Sequence, residues 1–163
     1  MSISMYRASV PVFLRALNNL ATIFEKAAKH PDAASFAAAR LAPDMLTLIG
    51  QIQRATDSAK GAAARLSGAD APSFADEEKT LADAQARIKK TIDYLKSVPE
   101  SAIDGSEEKP ITLKAGNNEH KFIGKDYLLG FAIPNFFFHI AMAYAILRNR
   151  GVEIGKMDYI GRG

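Results

Sequence analysis

The sequence predicts an all-α fold in one domain spanning residues 1–163, and three observations carry that expectation. Three long segments place apolar residues three and four apart, the period of a helix with one buried face. A fourth segment, near the C-terminus, is apolar on almost every face. The chain of 163 residues, 48% hydrophobic and 24% charged, is also long enough to bury a core with no cysteine to staple it.

The first segment sets Tyr6, Val10, Phe13, Leu14, Leu17, Leu20, Phe24 and Ala27 on one stripe. Pro11 suits the opening turns, where a missing N–H costs little, and His30-Pro31 should end the helix. A short alanine-rich turn over 32–40 follows. The second helix is expected to start near Pro43 and Asp44, with proline at the first helical position and an acid in the first turn, and to stop at Ser67-Gly68. Met45, Leu48, Ile49, Ile52, Ala59, Ala63 and Leu66 form its inner stripe. The third is expected after Ser73 and Asp76, which have capping-box spacing, with Leu81, Ile88, Ile92 and Leu95 inward. Between Pro99 and Gly124 the apolar period drops to two. Residues 111–114 and 119–123 flank Ala115-Gly116-Asn117-Asn118, which predicts a β-hairpin with a four-residue loop. Its register pairs Ile111 with Phe122, Leu113 with His120 and Lys114 with Glu119.

The last helix, from about Lys125 to Arg150, carries no charge from Tyr127 to Leu147. Those 21 positions, at about 1.5 Å each, would cross a bilayer core. Pro134, Asn135 and His139 near the middle would be costly in lipid, and three amphipathic helices need a partner for their apolar faces. The expectation is therefore the centre of a bundle, with no membrane. The N-terminus lacks the regions of a signal peptide, and the missing cysteine fits a reducing compartment, so the expected location is cytoplasmic. A net charge of +3 with interspersed signs offers no basic stripe, so no nucleic acid is expected.

Three stretches together resemble a known family: PNFFFHIAMAYAILRNRGVEIGKMDYIG near the C-terminus, SMYRASVPVFLRALNNL at the N-terminus, and RLAPDMLTLIGQIQRATDSAKGAAARL between them. They are similar to an uncharacterised bacterial branch of the DinB-like four-helix bundles, over nearly the whole chain. The resemblance implies an up-down bundle with a crossover and the hairpin between helices three and four. Better-known DinB-like proteins hold a divalent metal with three histidines, one on the second helix and two four residues apart on the last. Some of them transfer low-molecular-weight thiols. Carried over, His139 matches the first histidine of the last-helix pair, but the position four later is Ala143. The second-helix position falls at Gln51 or Gln53. Neither alanine nor glutamine replaces imidazole as a ligand, so no transition metal and no cofactor are expected.

At 100° per residue, Leu128, Ala132, Asn135, His139, Ala143 and Ile146 share one strip of the last helix. Asn135 and His139, one turn apart, could share a hydrogen bond inside a ligand pocket. Gln51 and Asp44 lie at one edge of the second-helix stripe, and Tyr6 could point its phenol towards the same pocket. Each has a plain structural alternative: His139 as a satisfied core histidine, Asp44 as a dipole-compensating residue, Tyr6 as a core aromatic with an exposed tip. No glycine-rich phosphate loop, serine elbow or paired-carboxylate motif appears. The expected function is a non-catalytic bundle that binds a small ligand or a partner protein, as a homodimer. The alternative is an enzyme of DinB-like ancestry working through a pocket around His139.

Overall fold

A computed structural model of the chain describes residues 3–115 and 117–161. Helix α1 (Val10–Ala27) is followed by a 3-10 turn (Ala33–Ala38), then α2 (Leu48–Ser67), α3 (Leu81–Ser97) and the short α4 (Glu100–Ile103). The hairpin β1 (Pro110–Ala115) and β2 (Asn118–Ile123) leads into one continuous helix, Gly124–Asn149. That long helix consists of α5 (Gly124–Tyr127), a π turn (Leu128–Ala132) and α6 (Ile133–Asn149), and α7 (Lys156–Ile160) closes the order.

Local chemistry sets the helix ends, and at two of them it overrides the expected boundary. Helix α2 begins at Leu48 rather than near Pro43, because extended Thr47 accepts the Gly50 N–H at 3.2 Å as a cap. The preceding residues form a turn in which the Arg40 guanidinium donates to the carbonyls of Pro43 and Met45. Helix α3 begins at Leu81, not after Ser73, because Thr80 and Asp83 form a complete capping box. Gly68 ends α2 in the left-handed region, at φ 80°, as Ser67-Gly68 predicts.

The four long helices pack in the order α1, α3, α2, α6 around the bundle, so that consecutive α1 and α2 sit diagonally and a crossover joins them. Their inward stripes are largely those read from periodicity, except that Tyr6 and Met45 lie before their helices and, like Leu14, are only half-buried. Val10, Phe13, Leu17, Leu20 and Phe24 of α1 are buried, as are Leu81, Ile88, Ile92 and Leu95 of α3. Phe136 of α6 meets Phe13 edge to face, with ring centroids 4.9 Å apart. The hairpin caps one end in the expected register, Ile111 opposite Phe122, Leu113 opposite His120 and Lys114 opposite Glu119. The ladder continues to Ala115 opposite Asn118, so the connection is shorter than the four-residue loop expected. Gly116, within that loop, lies outside the described residues. Where β2 enters the helix, a Cβ on Gly124 would lie 1.8 Å from the Ser106 carbonyl oxygen, so only glycine fits.

A buried cation organises the segment between α2 and α3. Arg87, 3% exposed, donates from Nε to Thr56 at 2.8 Å and from Nη2 to Asp57 at 2.9 Å. Its Nη1 reaches the Ala75 carbonyl, Asp76 and Glu78, each at 3.0 Å. The same segment carries Phe74, whose ring lies under the ammonium groups of Lys60 and Lys90 at 4.1 and 4.3 Å. An otherwise irregular connection is thereby fastened to both helices.

The long helix is not enclosed as its all-round apolarity predicts. Helix α2 packs most extensively against it and α1 less so, which covers one side only. In its most apolar window, of mean hydropathy 1.5 and of a length and composition that would suit a membrane span, 28% of residues are buried. Leu129 is 61% exposed and Phe138 51%, and Pro134, Ala141, Met142 and Ala145 continue an outward strip that no neighbour buries.

Candidate functional site

Helix α2 and the long helix run antiparallel, joined by three polar rungs. Gln51, 1% exposed, presents its Oε1 2.8 Å from His139 Nδ1. The Asn135 amide donates to the Ser58 hydroxyl at 2.7 Å. Arg65 donates to the phenol of buried Tyr127 at 3.1 Å. On α2 these positions recur every seven residues, which keeps them on one face. The residues between them, such as Ala55, Ala59 and Ala62, are small and buried, so the two backbones approach closely.

The structure therefore brings His139 and Gln51 together and puts Asn135 on the next rung, bonded to Ser58 and not to His139 as the one-turn spacing suggested. Asp44 does not join them: it lies exposed in the turn before α2. Tyr6 is half-buried at the approach to α1, its backbone N–H bound to Asp104 at 2.8 Å, and no hydrogen bond links it to the His139–Gln51 pair. Gln53, the other glutamine considered for the metal position, turns instead to Glu78 at 2.8 Å. Sequence reading missed Ser58, Arg65 and Tyr127, although the heptad spacing of Gln51, Ser58 and Arg65 was there to find. Leu128, Ala132, Ala143 and Ile146 complete the inner strip and are buried, and among them Asn135 and His139 are half-buried.

The family model for a domain of unknown function, DUF1993, matches residues 5–160. The chain belongs to the DUF1993 family. A crystal structure of a DinB family member protein from Shewanella denitrificans is similar to it with a TM-score of 0.86 and 38% identity, covering 97% of this chain and 92% of that one. No curated protein matches the sequence. The DUF1993 bundle is thus a branch of the DinB-like fold, as its C-terminal residues implied.

The three-histidine metal of better-known DinB-like proteins does not fit the donors of this DUF1993 chain. His139 faces a glutamine amide, and the position one turn on is Ala143, buried and without a donor atom. Among the described residues, no group of three or more His, Cys, Asp and Glu side chains could hold a metal ion. A transition-metal site needs at least three such ligands, and an amide oxygen is a weak one.

Burial, and after it the positive charge of Arg54, push His139 below the ordinary imidazole value of 6.5. The unfolded chain therefore binds a proton that the folded chain resists, and folding stability should fall as the pH drops below about 6.5. Chemical denaturation at two pH values either side of that point should show the loss, and His139→Gln should flatten it. An unchanged slope in the variant would assign the effect to another group.

Proposed function

We propose that this protein is a non-catalytic, cytoplasmic binding bundle that has given up the metal site of its better-known relatives and pairs with a second copy of itself. The observation that carries the reading is the hydrogen bond between His139 and Gln51, an amide at one of the two glutamine positions, Gln51 and Gln53, where the resemblance implies a ligand histidine. Elemental analysis after incubation with zinc and gel filtration tests it. Well under one equivalent of zinc should stay with the protein. A full equivalent that disappears in His139→Ala would overturn the reading.

The homodimer rests on the outward strip of the long helix. Leu129, Pro134 and Phe138 are exposed on a stretch with no charge, and a two-fold axis would bury the same surface from both copies. Light scattering at micromolar concentration should give twice the chain mass of 17.6 kDa, and Phe138→Ser should shift it to the monomer. A monomeric parent protein would count against the pairing. A second reading, an enzyme of DinB-like ancestry centred on His139, is favoured by one observation: the lowered pKa keeps the imidazole neutral at neutral pH, with Nε2 free of hydrogen bonds among the described residues.

A further inference from the structure

On the α1 side of the bundle, the short α7 packs over α1. Lys26 and Asp158 form an ion pair at 2.6 Å, Asn19 donates to the Tyr159 carbonyl at 3.1 Å, and the Tyr159 ring packs edge-on against Tyr144 at 5.8 Å. Gly161 follows at φ 83°, so close to Asn19 that a Cβ would lie 2.7 Å from its amide. Three tethers thus fix α7 in place. Beneath it a hollow of about 380 Å³ remains between Val12, Ala16, Phe137 and Tyr159. That volume falls within the range of small-molecule sites, which are mostly apolar with a few placed polar groups. Here the polar groups are Asn19 and Arg15. The side chain of Arg15, like those of Arg7 and Arg150, makes no hydrogen bond or ion pair among the described residues, whereas Arg40, Arg54, Arg65 and Arg87 have partners; of the three, Arg15 is the one that lines the hollow.

We propose that this hollow is a binding site for a small amphipathic organic anion, a carboxylate or sulfonate on an apolar body, with Arg15 as its counter-ion. The apolar body fills the space over Ala16 against the rings of Phe137 and Tyr159. The anion sits at the rim, where the guanidinium offers paired donors. The inference rests on reading the protein as a ligand-binding bundle and gives that reading a place and a ligand class.

Two fluorescent probes test it: anilinonaphthalene sulfonate, and its uncharged relative N-phenyl-naphthylamine. Both should bind the full chain saturably, one per protomer. Arg15→Gln, an exposed change, should weaken the sulfonate about fivefold, the size of an exposed ion pair, and leave the uncharged probe within twofold. Ala16→Leu, which fills the hollow, should weaken both at least tenfold. Equal effects of Arg15→Gln on the two probes would overturn the proposal, as would no saturable binding. A signal that ignores Ala16→Leu and vanishes in Phe138→Ser would also overturn it, since the probe would then report the outer strip of the long helix. Should Ala16→Leu fail to fold, the split between probes in Arg15→Gln decides alone. A full equivalent of zinc would sink the non-catalytic reading and leave these titrations standing.

Discussion

Phe136→Ala is expected to cost about 4 kcal/mol of folding stability, the middle of the range for truncating a buried aromatic. Phe136 is fully buried and touches the rings of Phe13 at 4.9 Å and Phe137 at 5.1 Å. It projects from α6 towards α1, and the polar rungs hold α6 against α2 on its other side. The helices cannot close over the gap without breaking those bonds, so most of the cavity should persist. Urea unfolding followed by circular dichroism checks the figure. A loss below about 1 kcal/mol would mean that the α1–α6 contact repacks freely.

Arg87→Met should cost about 3 kcal/mol. The side chain is almost fully enclosed, and removing it strands Glu78, whose side chain is 12% exposed, without its cation. Asp57 and Asp76, at 33% and 46%, regain water, which keeps the cost below that of a wholly buried network. A second consequence is visible in acid. Burial raises the Glu78 pKa, but hydrogen bonds from Gln53 and Arg87 outweigh it and hold the carboxyl below the ordinary value of 4.5. Glu78 therefore contributes stability that is present above that value and lost as the pH falls through its folded pKa. In Arg87→Met that acid-dependent loss should shrink, which denaturation at pH 7 and pH 3 would show. A variant as acid-sensitive as the parent would place the effect in other carboxylates.

The helical stripes, the hairpin register and the family likeness were legible in the sequence because each rests on a short repeating period or a local motif. The start of α3 was misplaced because Ser73 and Asp76 carry a capping-box spacing as Thr80 and Asp83 do, and spacing does not say which pair closes. What chooses is Arg87, which draws 75–78 into long-range bonds that no local pattern reveals. Asn135 and His139 were placed on the correct face of the long helix. Their partners, Ser58 and Gln51, depend on how α2 docks, which the one-turn spacing of two neighbours on one helix does not reveal. The half-covered long helix was missed for a related reason: composition shows how apolar a helix is, not how many neighbours surround it.

The three rungs between α2 and the long helix act as a vernier for assembly. Alanine-rich surfaces such as that of α2 can pack in several nearly equivalent alignments, differing by whole turns. A slide of seven residues would set Ser58 against His139, carry the Arg65 guanidinium to Asn135, and leave the Tyr127 hydroxyl beyond Ser67, where α2 ends. The slide exchanges each matched partner for a poorer one and takes the Tyr127 hydroxyl from its Arg65 donor; a buried polar group that loses its partner costs about 1–3 kcal/mol. The rungs therefore add little to the depth of the native state, but they separate it from its shifted neighbours. An alanine-faced helix pair acquires a single address.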